Sequence, residues 1–151
     1  MKRSNKRFLR IIAAVLSIVL VLPIHTLAAQ PEAIMPCASA YIERYSGYIS
    51  PRGNGEIKIF FSITGTDRMD NLGVTSIVLY ESEDNYDWFA VKTYYSSSYS
   101  NLMGSNVGNH NSHVTYQGTA GYYYEAHICF SASDETGGDT CQIYTTIVKA
   151  T

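Results

Sequence analysis

The sequence predicts an all-β domain, a sandwich of about seven antiparallel strands, behind an N-terminal export signal. Three observations carry this. The chain opens MKRSNKRFLR and continues into an apolar run from Ile11 to Leu22. The remainder is rich in Tyr, Ile, Val, Thr and Ser, which is strand composition. Short stretches of alternating apolar and polar residues recur between clusters of Gly, Asn, Asp and Ser, and none has a helical period.

The export signal rests on Lys2, Arg3, Lys6, Arg7 and Arg10 before the apolar run, and on the small residues of Thr26-Leu27-Ala28 after it. Cleavage is expected after Ala28, with Ala29 as second choice. The apolar run falls short of the roughly 20 residues a spanning helix needs. The expectation is therefore a secreted protein with no stable membrane insertion after cleavage. Residues 1–28 form the signal peptide, 29–37 a flexible tether and 38–151 the β-sandwich. Cys37 lies too far past the apolar run to be a lipid-anchor cysteine, and Ile34-Met35-Pro36 before it do not fit one.

Five of the 11 basic residues sit in the signal, leaving 6 basic against 13 acidic and a net charge of −7 after cleavage. That balance argues against binding nucleic acid or anionic lipid, which need a positive surface.

The elements follow in order. "AYIERYSGYIS" reads as a first strand, broken or bulged at Gly47. Asn54-Gly55 in "PRGNG" is a hairpin turn signal. In "EIKIFFSIT", Ile57, Ile59, Phe61 and Ile63 share one face while Glu56, Lys58 and Ser62 share the other. Phe60 breaks the pattern on the polar face and is expected to pack against a neighbouring side chain. "GTDRMDNLG" reads as a loop, "VTSIVLYES" as a buried strand, "EDNYD" as a turn and "WFAVKTYY" as a strand. "SSSYSNLMGSNVGNHN" is polar and Gly-containing and reads as a long loop. "SHVTYQ" is a short strand. In the next strand Tyr124, Ala126, Ile128 and Phe130 form the core face, with Glu125, His127 and Cys129 opposite. "CQIYTTIVK" closes the domain.

Three cysteines in an exported chain suggest one disulfide and one leftover. A hairpin symmetric about Glu135 sets Cys129 opposite Cys141, at a Cα separation of roughly 4.5–5.5 Å that a disulfide accepts. Cys37 is then free or pairs between molecules. The alternative is Cys37 with Cys141, if the first strand lies beside the last.

"GTAGYYYEA" resembles the tyrosine corner of immunoglobulin-like sandwiches, in which a tyrosine at a strand's start hydrogen-bonds back to the loop before it. Tyr124 is the candidate. The turn spacing and this corner together point to an immunoglobulin-like Greek key. Ala126 stands where an antibody domain has its second inter-sheet cysteine, so no antibody-type bridge is expected.

"GNGEIKIFFSITGTDRMDNLG", "SIVLYES" with Trp88 and Val91, and "GTAGYYYEA" with Gly137-Gly138-Asp139 cover about two-thirds of the chain after cleavage. On these motifs the chain resembles a family of small secreted proteins of Gram-positive bacteria classed as a domain of unknown function. The resemblance implies export and an all-β domain. It brings no activity and no catalytic residues.

Candidate chemistry is sparse. His110 and His113 have a metal-like spacing but no nearby Cys, Asp or Glu to complete a site. His127 reads as surface polar. Asp67, Asp70, Glu81, Glu83, Asp84 and Asp87 match no calcium-loop pattern. No metal or cofactor is expected. There is no G-x-S-x-G elbow or compelling triad, so no enzyme is expected. Tyr86, Trp88, Tyr94, Tyr95 and Tyr99 fall within one hairpin and the loop after it. Rigid, amphipathic aromatics suit binding surfaces, and sandwich modules hold carbohydrate by stacking such rings on sugars. The sequence thus supports a non-enzymatic extracellular or envelope interaction module whose partner is an unknown protein or glycan. The alternatives are a carbohydrate-binding module using that hairpin and loop, and a small secreted hydrolase.

Overall fold

The computed structural model describes residues 39–151. The signal peptide, its cleavage site, the tether and Cys37 lie outside them. Seven strands form one antiparallel sheet: β1 (Ile42–Gly53), β2 (Glu56–Ser82), β3 (Phe89–Tyr95), β4 (Met103–Gln117), β5 (Tyr123–Asp134), β6 (Gly137–Tyr144) and β7 (Val148–Lys149). The main path runs β1-β2-β5-β6, with β3 and β4 on β2 and β7 on β5. One 3-10 turn, Ser100–Leu102, precedes β4, and the described residues contain no α-helix.

β2 organises the domain. Its first part, through Thr64, pairs with β1 on one side and β4 on the other. Its last part pairs with β5 and β3. The sheet folds back on itself along this strand. Tyr45 of β1 packs on Phe130 of β5, ring centroids 5.0 Å apart, although those two strands share no ladder. A methyl on Gly47 would lie 2.5 Å from Ile128 Cδ1 and 3.1 Å from Ile143 Cδ1. Between the layers lie Ile57, Ile59, Phe61 and Ile63 from the first part of β2, Leu72, Val74, Ile77 and Leu79 from the last, and Ala126, Ile128 and Phe130 from β5. The period-two pattern placed those from the first part of β2 and from β5 on the inner face; Leu72 fell in an expected loop, and Val74, Ile77 and Leu79 in a strand read only as buried.

The β1–β2 hairpin turns on Asn54 (φ 54°) and Gly55 (φ 79°). Two positive φ values in a two-residue loop are what the type I′ turn demands, and Asn-Gly meets that demand. A Cβ on Gly55 would sit 2.4 Å from the Gly118 carbonyl oxygen, so the close approach of two turns needs glycine as well.

Two segments expected to be loops are strand. Residues 65–73, "GTDRMDNLG", continue β2, with the pairing to β4 shifted between Thr64 and Met69. The glycines mark close approach and not chain exit. A Cβ at Gly73 would sit 2.2 Å from the Leu102 carbonyl oxygen. Met69 and Leu72 turn inward and are buried. Arg68 Nε donates to Asn106 Oδ1 at 2.7 Å across the bend. The "long loop" at 96–111 becomes the 3-10 turn and the first half of β4. β4 is polar over most of its length because it pairs with β2 along a face left to solvent; Val114 is its buried side chain.

The cysteine pairing is corrected. Asp134 pairs with Gly137, so the β5–β6 turn has two residues, not the odd number a symmetric hairpin about Glu135 requires. Asp134 Oδ1 accepts the N–H groups of Thr136 (2.7 Å) and Gly137 (3.2 Å) and closes the turn tightly. The register moves by one residue. Cys129 faces Gln142, and Cys141 faces Phe130. Because side chains alternate, the two cysteines point to opposite faces of the sheet. Cys129 is a free thiol. Cys141 is not free and packs at the margin of the core.

Candidate binding face

The outer side of β1, β2 and β4 carries three cross-strand rows. Tyr48 faces Phe60, which faces His113. Ser46 faces Ser62, which faces Asn111. Arg44 faces Thr64, which faces Asn109. The β1 and β2 members alternate outward from buried positions between them, so the period that builds the core also builds this surface.

The rows differ in height. Tyr48 and Phe60 stack at 4.8 Å with 14° between planes, and His113 tilts against Phe60 at 5.6 Å. Arg52 and Lys58 each place their charge 5.5 Å from the Phe60 ring centre. Cross-strand stacking stands the rings up from the sheet as a wall. The middle row is low, since Ser46 and Ser62 are small. Ser62 Oγ donates to Asn111 Oδ1 at 3.2 Å. The third row rises again, with Arg44 Nε donating to Thr64 Oγ1 at 3.3 Å. The result is a trough along the Ser46–Ser62–Asn111 row. A hollow of about 380 Å³ opens on its Arg44–Asn109 side. A second, of about 320 Å³, opens on its aromatic side. Ser46, Ser62 and Asn111 line both, and no carboxylate lines either.

The tyrosines of the β3 hairpin do not form one surface. Tyr86 is 86% exposed in the β2–β3 turn and Tyr95 is 55% exposed on β3. Trp88 is half-buried. Tyr94 belongs to the core: its hydroxyl donates to the Thr115 carbonyl at 3.0 Å, and burial, with Tyr99 and Tyr116 nearby, pushes its pKa up to about 12. Tyr99 packs edge-on against it at 5.1 Å. Adjacent residues of a strand point to opposite faces, which alone separates Tyr94 from Tyr95.

Tyr124 is fully buried. Its hydroxyl accepts the Thr119 N–H at 2.8 Å and donates to the Glu81 carboxylate in a short hydrogen bond. Burial first, and the Glu81 bond second, push its pKa up to about 12. A Cβ on Gly118 would lie 2.4 Å from the Tyr124 hydroxyl oxygen, so the loop closes onto the ring where glycine leaves room.

His110, His127 and Asp84 have structural partners. His110 and His113 lie three positions apart on β4 and point to opposite faces. His110 Nε2 bonds the Asn101 carbonyl at 2.9 Å, and His127 Nε2 bonds Gln142 at 3.0 Å. Asp84 accepts the N–H groups of Tyr86 (2.9 Å) and Asp87 (3.0 Å), which holds its carboxyl below the usual aspartate range. Among the described residues no three His, Cys, Asp or Glu side chains converge as metal ligands.

No family model, curated protein or solved structure matches the chain. The trough itself went unread in the sequence. Its one visible trace was Phe60, the apolar residue on a polar face; Tyr48 and His113 join it only through the register of β1 and β4.

Proposed function

We propose that this is an exported, non-enzymatic β-sandwich module that binds an extracellular or envelope ligand through the outer face of β1, β2 and β4. The observation that carries the reading is the trough between the Tyr48–Phe60–His113 wall and the Arg44–Thr64–Asn109 row. Hollows lined by hydroxyl and amide groups suit a polar ligand. Exposed aromatics and amides are the groups that recognition surfaces favour. The immunoglobulin-like Greek-key class stays part of this proposal. It is supported by the Tyr124 corner rather than by strand order, in which β2 serves both layers.

A glycan is the second reading. The trough's Ser46, Ser62, Thr64, Asn109, Asn111 and Arg44 offer the donors and acceptors that sugar hydroxyls need. This moves the carbohydrate reading from the tyrosine-rich hairpin to the opposite side of β2. A two-carboxylate hydrolase finds no support in either hollow, since neither has an acid in its lining. A glycan array and a cell-envelope pull-down, each run with the protein and with a Phe60→Ala, Asn111→Ala double variant, test the reading. Binding that the double variant loses supports the trough. Binding that the double variant keeps removes it.

A further inference from the structure

We infer that the ligand of the trough is a carboxylate-bearing polysaccharide, held at its charges by Arg44 on one flank and by Lys58 and Arg52 on the other. This rests on the binding reading above and adds the ligand's class to it.

Charge is unevenly placed along the chain. Outside the export signal there are 6 basic and 13 acidic residues. The segments that make the trough face, residues 42–53, 56–64 and 109–117, hold 3 of those 6 basic residues and 2 of the 13 acidic ones. The two acids, Glu43 and Glu56, stand at opposite ends of the paired segments, and no carboxylate lines either hollow. The partners of the three cations are neutral. Arg44 Nε donates to Thr64 Oγ1 at 3.3 Å, and Arg52 and Lys58 lie over the Phe60 ring. Arg44 and Arg52 are exposed and Lys58 is half-buried. With Nε committed to Thr64, the Nη groups of Arg44 are left to donate in parallel to a carboxylate. The screening length at physiological ionic strength is about 8 Å, so acids on the far side of the domain act weakly here.

The spacing of the cations selects a polymer. Arg44 faces Thr64, and Lys58 lies six residues before Thr64 on the same strand. At about 3.3 Å per residue the two positions stand about 20 Å apart. A single small anion cannot reach both. Between them lie the Ser62 hydroxyl, the Asn111 amide and the stacked Tyr48 and Phe60 rings. The face thus offers charge at its flanks and neutral hydrogen-bonding groups in the middle. That matches a chain whose carboxylates are separated by sugar hydroxyls. A nucleic acid carries a phosphate on every residue and calls for a continuous basic track, which three cations on an acidic domain do not supply.

The exported protein, free of its signal, should be titrated calorimetrically with polygalacturonate oligomers and with the same oligomers after methyl esterification, which removes the charge and keeps the sugars. The oligomers should bind, rising salt should weaken them, and esterification should weaken them at least tenfold. An Arg44→Gln, Lys58→Gln double variant should lose at least tenfold in affinity. A Lys92→Gln, Lys149→Gln double variant, which removes the same charge from β3 and β7, should lose less than twofold. No binding of polygalacturonate, equal binding of the ester, equal losses in the two double variants, or a single-stranded oligonucleotide bound as tightly would each overturn the inference. Failure of the trough reads differently. Polygalacturonate binding that Ser62→Trp leaves unchanged overturns the trough and this inference together, whereas a wrong ligand class leaves envelope retention sensitive to Ser62→Trp and indifferent to added polygalacturonate.

Discussion

Replacing Tyr124 by Phe removes one oxygen atom from a side chain with no solvent exposure. The ring and its packing stay, so the measured loss reports the hydroxyl. That oxygen makes two bonds, one from the Thr119 N–H and one to Glu81. Thr119 is exposed, so water can take over its N–H, and this loss is held to about 1 kcal/mol. The bond to a charged carboxylate is worth more, about 1.5–3 kcal/mol, with the lower end appropriate because Glu81 is half-buried and reaches solvent. The expected total is about 2–3 kcal/mol. With a urea dependence of roughly 1–3 kcal/mol per molar, the unfolding midpoint should fall by about 1–2 M with unchanged slope. Alkaline titration supplies an independent reading. A buried phenol whose folded pKa is raised to about 12 contributes stability that is fully present below 10 and lost as pH rises through the folded value. The Phe variant should therefore lose part of its alkaline sensitivity, with Tyr94 accounting for what remains. An unchanged urea midpoint together with an unchanged alkaline limb would refute the corner as a source of stability.

Gly73→Ala should prevent folding or destabilise by more than about 3 kcal/mol, because its Cβ would meet the Leu102 backbone rather than a movable side chain; a normal urea melt would contradict the close approach. Phe60→Ala should cost about 1–2 kcal/mol, since it removes the stacking on Tyr48 and the perch of two cations while leaving the core intact; a loss above about 4 kcal/mol would mean the wall is part of the core. Asp139 is held below the ordinary aspartate value of 3.8, first by Ser39 and then by backbone N–H groups. Its stabilising effect is present above that value and lost as pH falls through the folded pKa, so Asp139→Asn should flatten the acid limb of a thermal-melt series below about pH 4 and leave the neutral limb's slope unchanged.

Much of the fold was legible because burial follows a period of two. Ile57 to Ile63 and Tyr124 to Phe130 were placed correctly on the core face from alternation alone. Asn54-Gly55 gave its turn because positive φ leaves few choices of residue. Other features depended on partners that the local sequence does not name. Gly65 and Gly73 looked like loop ends, yet both lie within β2, and at Gly73 another backbone comes close. The first half of β4 looked like loop because polar residues dominate it, and only pairing with β2 makes it a strand. The β5–β6 register hinged on whether the turn held two residues or three. Asp134 decided that through hydrogen bonds to Thr136 and Gly137, and one residue of slip sent Cys129 and Cys141 to opposite faces. The binding face shows the same division. Phe60 was visible as an anomaly, but its row with Tyr48 and His113 exists only once three strands are aligned.

The most direct test of binding through the trough is retention on isolated cell envelopes, comparing the protein with a Ser62→Trp variant. Ser62 sits at the centre of the trough floor, faces away from the core and touches both hollows. An indole there fills the trough without entering the interior, and matched urea melts would verify that the domain still folds. The account predicts that the protein is retained and that Ser62→Trp weakens retention at least tenfold. Equal retention of both, or retention of neither, would contradict it.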